Sequence, residues 1–219
     1  MPLSRLIRGI VEFREKSLPD YAEHFRGLAE GQSPDALFIT CADSRVVPNL
    51  LVSTDTGELF TMRNVGNLMP PATTHGISTG DVSEPSAVEY AVSVLKVGNI
   101  VVCGHSGCGA MKAVFAESSL DDAPNLARWL GHARPALQEM KKEGGGSYDR
   151  LSQLNVLTQL DHIRTYPVVK KAVAAGLLKL SGWWFELASG DMYGYDTETA
   201  RFTLIDRASA PGFIRQLGG

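Results

Sequence analysis

Two short stretches of the chain contain the residue types of a metal site, and each follows a run of apolar residues. Cys41 follows the apolar run 37–39, whereas His105 and Cys108 follow the run 101–103. Thiolate and imidazole groups are ligands that zinc prefers, and a site with three protein ligands keeps its fourth position open for water. The sequence therefore predicts a zinc site of the catalytic type, with Cys41, His105 and Cys108 as its ligands.

Asp43 and Arg45 come directly after Cys41, two positions apart. Residues at this spacing can project to the same side of an extended segment, and a guanidinium keeps a nearby carboxylate ionised. Asp43 can then be a fourth zinc ligand, or it can accept a hydrogen bond from a zinc-bound hydroxide. The alternative is an exposed ion pair that contributes little to stability. Cys103 lies inside its apolar run and is assigned to the core.

The composition is that of an ordinary globular protein. The 219 residues are 44% hydrophobic and 21% charged, with a formal net charge of -3. This charge argues against a nucleic-acid-binding protein, which usually has a basic face. No apolar run approaches the roughly 18–20 residues that cross a bilayer, and the first residues do not resemble a signal peptide. We therefore expect no nucleic-acid or membrane partner, and a cytoplasmic location.

The spacing of apolar residues predicts an α/β fold. Short apolar runs indicate strands at 36–41, 58–62, 99–103 and 179–187, followed by short strands at 192–195 and 201–205. Helical spacing indicates helices at 83–95, 108–116, 125–143, 151–163 and 168–175, the third of them kinked or broken at Pro135. Strands separated by helices predict a central, mostly parallel β-sheet flanked by helices, and the last two strands predict a late antiparallel edge.

Residues 1–30 form a predicted N-terminal helical arm within a single domain of residues 1–219. Apolar residues recur at helical spacing in a first helix that begins at Pro2. Ser17 can cap a second helix. Because both helices precede the first strand, we expect the arm to pack against something outside the central sheet, such as a partner subunit.

Three motifs together resemble those of the β-class carbonic anhydrases. They are Cys-Ala-Asp-Ser-Arg at 41–45, Arg-Asn-Val-Gly-Asn at 63–67 and Gly-His-Ser-Gly-Cys-Gly at 104–109. The resemblance extends over nearly the whole chain. It implies an enzyme that uses Zn²⁺ to interconvert carbon dioxide and bicarbonate, in which a zinc-bound hydroxide attacks the carbon of carbon dioxide.

The resemblance also implies roles for individual residues around the metal. Cys41, His105 and Cys108 would bind the zinc ion. Asp43, paired with Arg45, would orient the hydroxide. In a closed and inactive state, Asp43 would instead occupy the fourth zinc position.

The same resemblance implies a substrate pocket and an oligomer. Gln32 matches a glutamine that hydrogen-bonds the substrate, and Gly109 matches a glycine whose backbone amide faces it. Phe60, Val65 and Tyr90 match an apolar wall and a tyrosine of that pocket. Family members are homodimers or larger, with N-terminal helices over the partner and active-site clefts at the interface. We therefore expect a homodimer or a higher homo-oligomer that takes carbon dioxide and bicarbonate as its small-molecule substrates.

One departure from the family pattern concerns regulation. Bicarbonate-inhibited members hold a regulatory bicarbonate with a tryptophan, an arginine and a tyrosine. Phe38 and Phe185 stand at the tryptophan and tyrosine positions here, and only Arg63 is available. We therefore predict no such regulatory site, and an open Asp43–Arg45 pair at neutral pH.

Other functions remain as alternatives. One is a carbon disulfide or carbonyl sulfide hydrolase on the same scaffold, since a zinc hydroxide would attack those linear molecules similarly. Another is a non-catalytic, zinc-stabilised binding protein, although retention of Gln32, Asp43 and Arg45 argues against it. The sequence argues against a serine hydrolase, because the Gly-x-Ser-x-Gly match at 76–80 follows a proline-containing segment where that motif needs a strand.

Overall fold

The structure is a computed structural model that describes residues 3–217. The predicted start of the first helix at Pro2 lies outside these residues. The chain divides into two compact units, one ending at Ser33 and one beginning at Pro34, and each is described by itself. A single domain of residues 1–219 stays a prediction.

The first unit consists of consecutive helices, which agrees with the predicted helical arm. Helix α1 (Leu3–Glu12) continues through a π-helical turn (Phe13–Ser17) into α2 (Leu18–Leu28). The predicted cap at Ser17 is wrong, because this residue is itself helical and its side chain makes no capping hydrogen bond. No residue of α1 or α2 is buried, and four apolar side chains of α1 are more than half exposed: Leu3, Leu6, Ile7 and Ile10.

The second unit is built on one six-stranded sheet. Its strands are β1 (Ala36–Cys41), β2 (Leu59–Asn64), β3 (Asn99–His105), β4 (Lys179–Glu186), β5 (Asp191–Asp196) and β6 (Arg201–Leu204). They lie in the order β2-β1-β3-β4-β5-β6. The first four pair in parallel, and β5 and β6 pair antiparallel at one edge. The predicted fold class is confirmed.

Helices flank this sheet. They are α3 (Pro48–Leu51), α4 (Ser83–Tyr90), α5 (Gly109–Phe115), α6 (Pro124–Leu130), α7 (Arg134–Lys142), α8 (Tyr148–Arg164), α9 (Pro167–Ala174) and α10 (Ala210–Gln216). The predicted helix over 125–143 is broken, as expected, although the break is a 3₁₀ turn at Gly131–Ala133 and Pro135 lies in the first turn of α7. The short helix α10 was not predicted. Within the described part of the chain, no helix has both the length and the apolar character needed to cross a bilayer.

Both faces of the central strands are covered, which explains their continuous apolar runs. Leu37 and Ile39 of β1 face a cluster formed with α8 and α9. Phe38 of β1 and Cys103 of β3 face the opposite cluster. The assignment of Cys103 to the core is confirmed, because its side chain is fully buried.

The strand order creates a crevice at the carboxyl ends of β1 and β3. After β1 the chain forms β2 on one side of it, then crosses to form β3 on its other side. Open α/β sheets bind ligands at such a switch point, outside the carboxyl ends of the strands. The two stretches that carry predicted metal ligands therefore end at the same place.

Helix α8 packs very closely on β3 and β4. A Cβ atom added at Gly104 would lie 2.8 Å from Val156 Cγ2, and one at Gly182 would lie 3.0 Å from Val156 Cγ1. Only glycine fits without movement of the helix or of the strand. The distance between α8 and the sheet thus depends on these two glycines.

We expect Gly104→Ala to destabilise the protein by about 1–3 kcal/mol, because the added methyl group overpacks a well-filled contact. The matched control is Gly98→Ala, where an added Cβ meets nothing within 4 Å. That variant should change the free energy of unfolding by less than about 0.5 kcal/mol. Urea unfolding followed by far-ultraviolet circular dichroism measures both. Equal unfolding midpoints for the two variants would contradict the prediction.

Candidate metal centre

The three predicted metal ligands come together at the crevice. Cys41 is the last residue of β1, His105 is the last residue of β3, and Cys108 directly precedes α5. Their ligand atoms all lie within 4.8 Å of one another, and all three residues are buried. Two thiols and one imidazole are a donor set that suits zinc, with one coordination position left over.

The hydrogen bonding of His105 fits a role as a metal ligand. Its Nδ1 atom lies 2.9 Å from the backbone oxygen of Ser106 and is therefore the nitrogen that carries the proton. Its Nε2 atom is buried and has no hydrogen-bond partner among the described residues. Leaving a buried polar atom unpaired costs about 1–3 kcal/mol. A metal ion bound by Nε2 would remove this cost, and the Nδ1 bond would hold the ring in the correct tautomer.

The two thiols of the cluster share a proton. The hydrogen bond from Cys108 lowers the pKa of Cys41, and the hydrogen bond from the Gly66 amide acts in the same direction. The pKa of Cys108 is raised, because its proton is held by Cys41 and its thiol is buried. Burial raises the pKa of Cys103 to about 12, so this thiol stays protonated in the core. Metal binding would displace the shared proton and stabilise the second thiolate.

Asp43 is held beside the ligand cluster by Arg45. Its Oδ1 atom accepts hydrogen bonds from the backbone N–H of Arg45 at 3.0 Å and from Nε at 2.9 Å. Its Oδ2 atom accepts one from Nη2 at 2.7 Å and lies 3.9 Å from Nε2 of His105. The guanidinium holds the pKa of Asp43 well below its usual range, so the carboxylate is ionised. Arg45 also donates to the backbone oxygen of Gly107 at 3.3 Å.

Arg63 of β2 fixes the segment that carries Cys41. It donates from Nε to the backbone oxygen of Cys41 at 3.1 Å and from Nη2 to that of Asp43 at 2.7 Å. Phe38 and Phe185, the other two positions of the family's regulatory site, are buried in one cluster of the core. The absence of a regulatory bicarbonate site stays a prediction.

The loop that carries Cys108 is tied to two neighbouring elements. Ser106 Oγ donates to Glu186 at 2.6 Å and accepts from the backbone N–H of Leu187 at 2.9 Å. The backbone N–H of Gly107 donates to Asp149 at the start of α8 at 2.7 Å. Gly107 has φ +62°, a left-handed conformation that favours glycine. The loop between the two ligands is therefore held in one conformation.

Helix α8 holds the ligand segments through side chains that the sequence pattern did not reveal. Ser152 Oγ donates to the backbone oxygen of His105 at 2.9 Å, and Asn155 Nδ2 donates to that of Gly66 at 3.1 Å. Both side chains are buried. The available signal was a row of polar residues, spaced three or four apart, on a helix with many leucines.

The residues predicted to line the substrate pocket lie in several places. The rings of Phe60 and Tyr90 contact each other, with centroids 5.8 Å apart. Cys41 pairs with Asn64 of β2. Phe60 lies four residues before Asn64, a distance of about 13 Å along the strand. Val65 and Tyr90 are each nearly half exposed, and Gly109 begins α5 with open space around it.

Gln32 lies in the first unit, in an exposed segment after α2. Its role at the substrate, like the roles of the other pocket residues, stays a prediction.

Known proteins with similar sequences and structures were found. A family model described as carbonic anhydrase matches residues 36–192. A carbonic anhydrase from Pseudomonas aeruginosa is 43% identical over 218 residues, which cover 98% of this chain and 96% of that protein. The solved structure of the β-carbonic anhydrase CcaA has a TM-score of 0.85 at 36% identity and covers 93% of this chain and 92% of its own. A structure of tetrameric β-carbonic anhydrases from Sordaria macrospora has a TM-score of 0.78 at 25% identity, covering 88% and 95%.

The cluster predicts which cysteines matter for metal binding. We expect the wild-type chain to retain about one zinc ion after exposure to a competing chelator, because the three ligands are preassembled. Cys41→Ser should weaken zinc binding by more than the roughly 10–100-fold loss typical of an outer-shell change. Cys103→Ala is the matched control, since this buried cysteine lies outside the cluster. Chelator competition followed by elemental analysis measures each affinity, and equal zinc retention by the two variants would contradict the assignment.

Proposed function

Because this chain belongs to the β-class carbonic anhydrases, we propose that it catalyses the reversible hydration of carbon dioxide to bicarbonate and a proton at a zinc ion. The observation that carries the proposal is the buried cluster of Cys41, His105 and Cys108, in which Nε2 of His105 lacks any partner among the described residues. These three side chains would hold the zinc ion. When bound, zinc supplies a nucleophile by activating water at neutral pH.

The chain's own contribution begins with Asp43 and Arg45. The ionised carboxylate can only accept hydrogen bonds, and Arg45 already takes up three of its bonding directions. Oδ2 can therefore accept a further hydrogen bond, and it lies 3.9 Å from Nε2 of His105. A water molecule beside the candidate metal position would be placed to donate that bond. We propose that Asp43 would accept a hydrogen bond from the reacting water and so orient a lone pair of its oxygen toward the substrate.

The pocket is proposed to suit a small, linear and uncharged substrate. Phe60, Val65 and Tyr90 would provide its apolar wall. The amide of Gly109, at the start of α5 where helical N–H groups lack intrahelical partners, would face a substrate oxygen. Gln32 would donate a hydrogen bond to the substrate.

A second copy of the chain is proposed to complete this pocket. Val65 and Tyr90 are nearly half exposed, and Phe60 lies about 13 Å along its strand from the Cys41 end. The apolar side chains of α1 are exposed as well, and such a surface usually marks an interaction site. A related solved structure is described as tetrameric. We therefore propose a homodimer or a larger homo-oligomer, and a cytoplasmic location stays a prediction.

Stopped-flow measurement of carbon dioxide hydration tests the proposed reaction and the role of Asp43. We expect Asp43→Asn to retain its zinc and to lose about 10²-fold in kcat, because the water would no longer be oriented. Asp161→Asn is the control, since Asp161 forms an exposed ion pair with Arg164 on α8. It should retain the wild-type rate within twofold.

Two outcomes would contradict this assignment. A zinc-loaded Asp43→Asn protein with the wild-type rate would exclude the proposed role of Asp43. A zinc-loaded wild-type protein that does not exceed the buffer rate would exclude carbon dioxide hydration. Carbon disulfide is assayed in parallel, because turnover of that compound alone would favour the alternative hydrolase.

Deletion of residues 1–16 tests the proposed role of the arm in assembly. Removing exposed apolar residues from a monomer should improve its solubility, whereas removing an interface exposes the surface that it covered. We expect the truncated protein to aggregate or to unfold at a lower temperature than the full chain. Size-exclusion chromatography with light scattering and thermal unfolding measure both properties. A stable, monodisperse monomer would count against the arm as an interface.

A further inference from the structure

The buried polar side chains of α8 form a row that the proposed chemistry does not explain. Ser152, Asn155 and Gln159 are spaced three and four apart, which places them along one side of the helix. Each is at most 1% exposed, although polar side chains in a helix interior usually face solvent. Buried polar groups need partners, so the partners of this row indicate its purpose.

Asn155 and Gln159 each bond the turn that follows β2, and Gln159 Nε2 also donates to the backbone oxygen of His132 at 3.2 Å. Asn155 Nδ2 donates to the backbone oxygen of Gly66 at 3.1 Å. Gln159 Oε1 accepts from the backbone N–H of Met69 at 2.8 Å. The two side chains are also bonded to each other, because Gln159 Nε2 donates to Asn155 Oδ1 at 2.8 Å. This last bond leaves Asn155 only one orientation, with its amide nitrogen toward Gly66.

The turn held in this way touches a metal ligand. The backbone N–H of Gly66 donates to the sulfur of Cys41 at 3.4 Å. Gly66 has φ +84°, and a Cβ atom there would lie 3.0 Å from Cβ of Ala110, so the chain passes close to α5 at this point. A chain of hydrogen bonds therefore runs from Gln159 through Asn155 and Gly66 to the ligand sulfur.

We propose that Asn155, oriented by Gln159, is a positioning residue of the metal centre that aims the Gly66 N–H at the sulfur of Cys41. This inference rests on the proposed zinc site. A hydrogen bond to a thiolate stabilises the charge on sulfur and orients the ligand, which is how outer-shell groups tune a metal. Helix α8 carries none of the three ligands. Through Gly66, its side chains thereby influence the charge on the sulfur of Cys41.

The test uses cobalt(II) in place of zinc, because a purely structural role of Asn155 would not change the absorption spectrum of the bound metal. Sulfur-to-cobalt charge-transfer absorption reports the energy of the sulfur lone pairs. Asn155→Ala removes the anchor of Gly66, so the band should move to longer wavelength as the hydrogen bond to sulfur weakens. Cobalt affinity should fall by about 10–100-fold, the usual range for an outer-shell partner. Gln153→Ala is the control on the same helix, at a half-buried position, and should keep the wild-type band and affinity.

A second variant covers the case in which Asn155→Ala does not fold, as judged by circular dichroism. Gln159→Met nearly preserves volume but removes the bonds that orient Asn155 and hold Met69, together with the bond to the backbone oxygen of His132. It should shift the band in the same direction by a smaller amount. Folded variants with the wild-type band and affinity would overturn the proposal while leaving the metal centre intact. Absence of a charge-transfer band from the wild-type protein would instead overturn the metal centre, and this inference with it.

Discussion

Two sulfurs and one imidazole nitrogen, buried within 4.8 Å of one another, are the constraint on which the rest of this structure depends. Polar groups removed from water must find partners, and neighbouring groups satisfy most of the polar atoms around this cluster. Among the ligand atoms, Nε2 of His105 is a buried polar atom that stays without a partner in the described structure. A preassembled set of donors with one unpaired nitrogen is arranged for a cation rather than for stability alone.

The parallel sheet places the residues of that cluster, and α8 holds the segments around them. Neighbouring strands β1 and β3 place Cys41 and His105 at the same edge, because parallel strands end together. Side chains of α8 then bond to the backbone of the segments that follow the strands, through Asp149 at Gly107 and Asn155 at Gly66. The glycines at 104 and 182 permit this helix to approach the sheet closely. Ligand placement and support therefore depend on the same packing contact.

Charged groups hold the open side of the site in place. Arg63 binds two backbone oxygens of the segment from Cys41 to Asp43, whereas Arg45 binds the carboxylate of Asp43 itself. The first arginine fixes the backbone and the second fixes the side chain, so the carboxylate has little freedom to turn toward the metal. This division of roles is consistent with an open site that keeps a coordination position for water.

Residue types and local spacing determined much of this protein. Local sequence was enough to predict the candidate thiol and imidazole ligands, the strands that precede them and the helices between the strands, because these depend on neighbours along the chain. The roles of Arg63 and Asn155, and the approach of α8 to Gly104, depended on tertiary structure. Their partners lie 20 to 89 positions away in sequence, and only folding brings them within hydrogen-bond distance. A polar residue on a buried helix face looks the same in sequence as one facing solvent, and only the packed structure shows which backbone atom it binds.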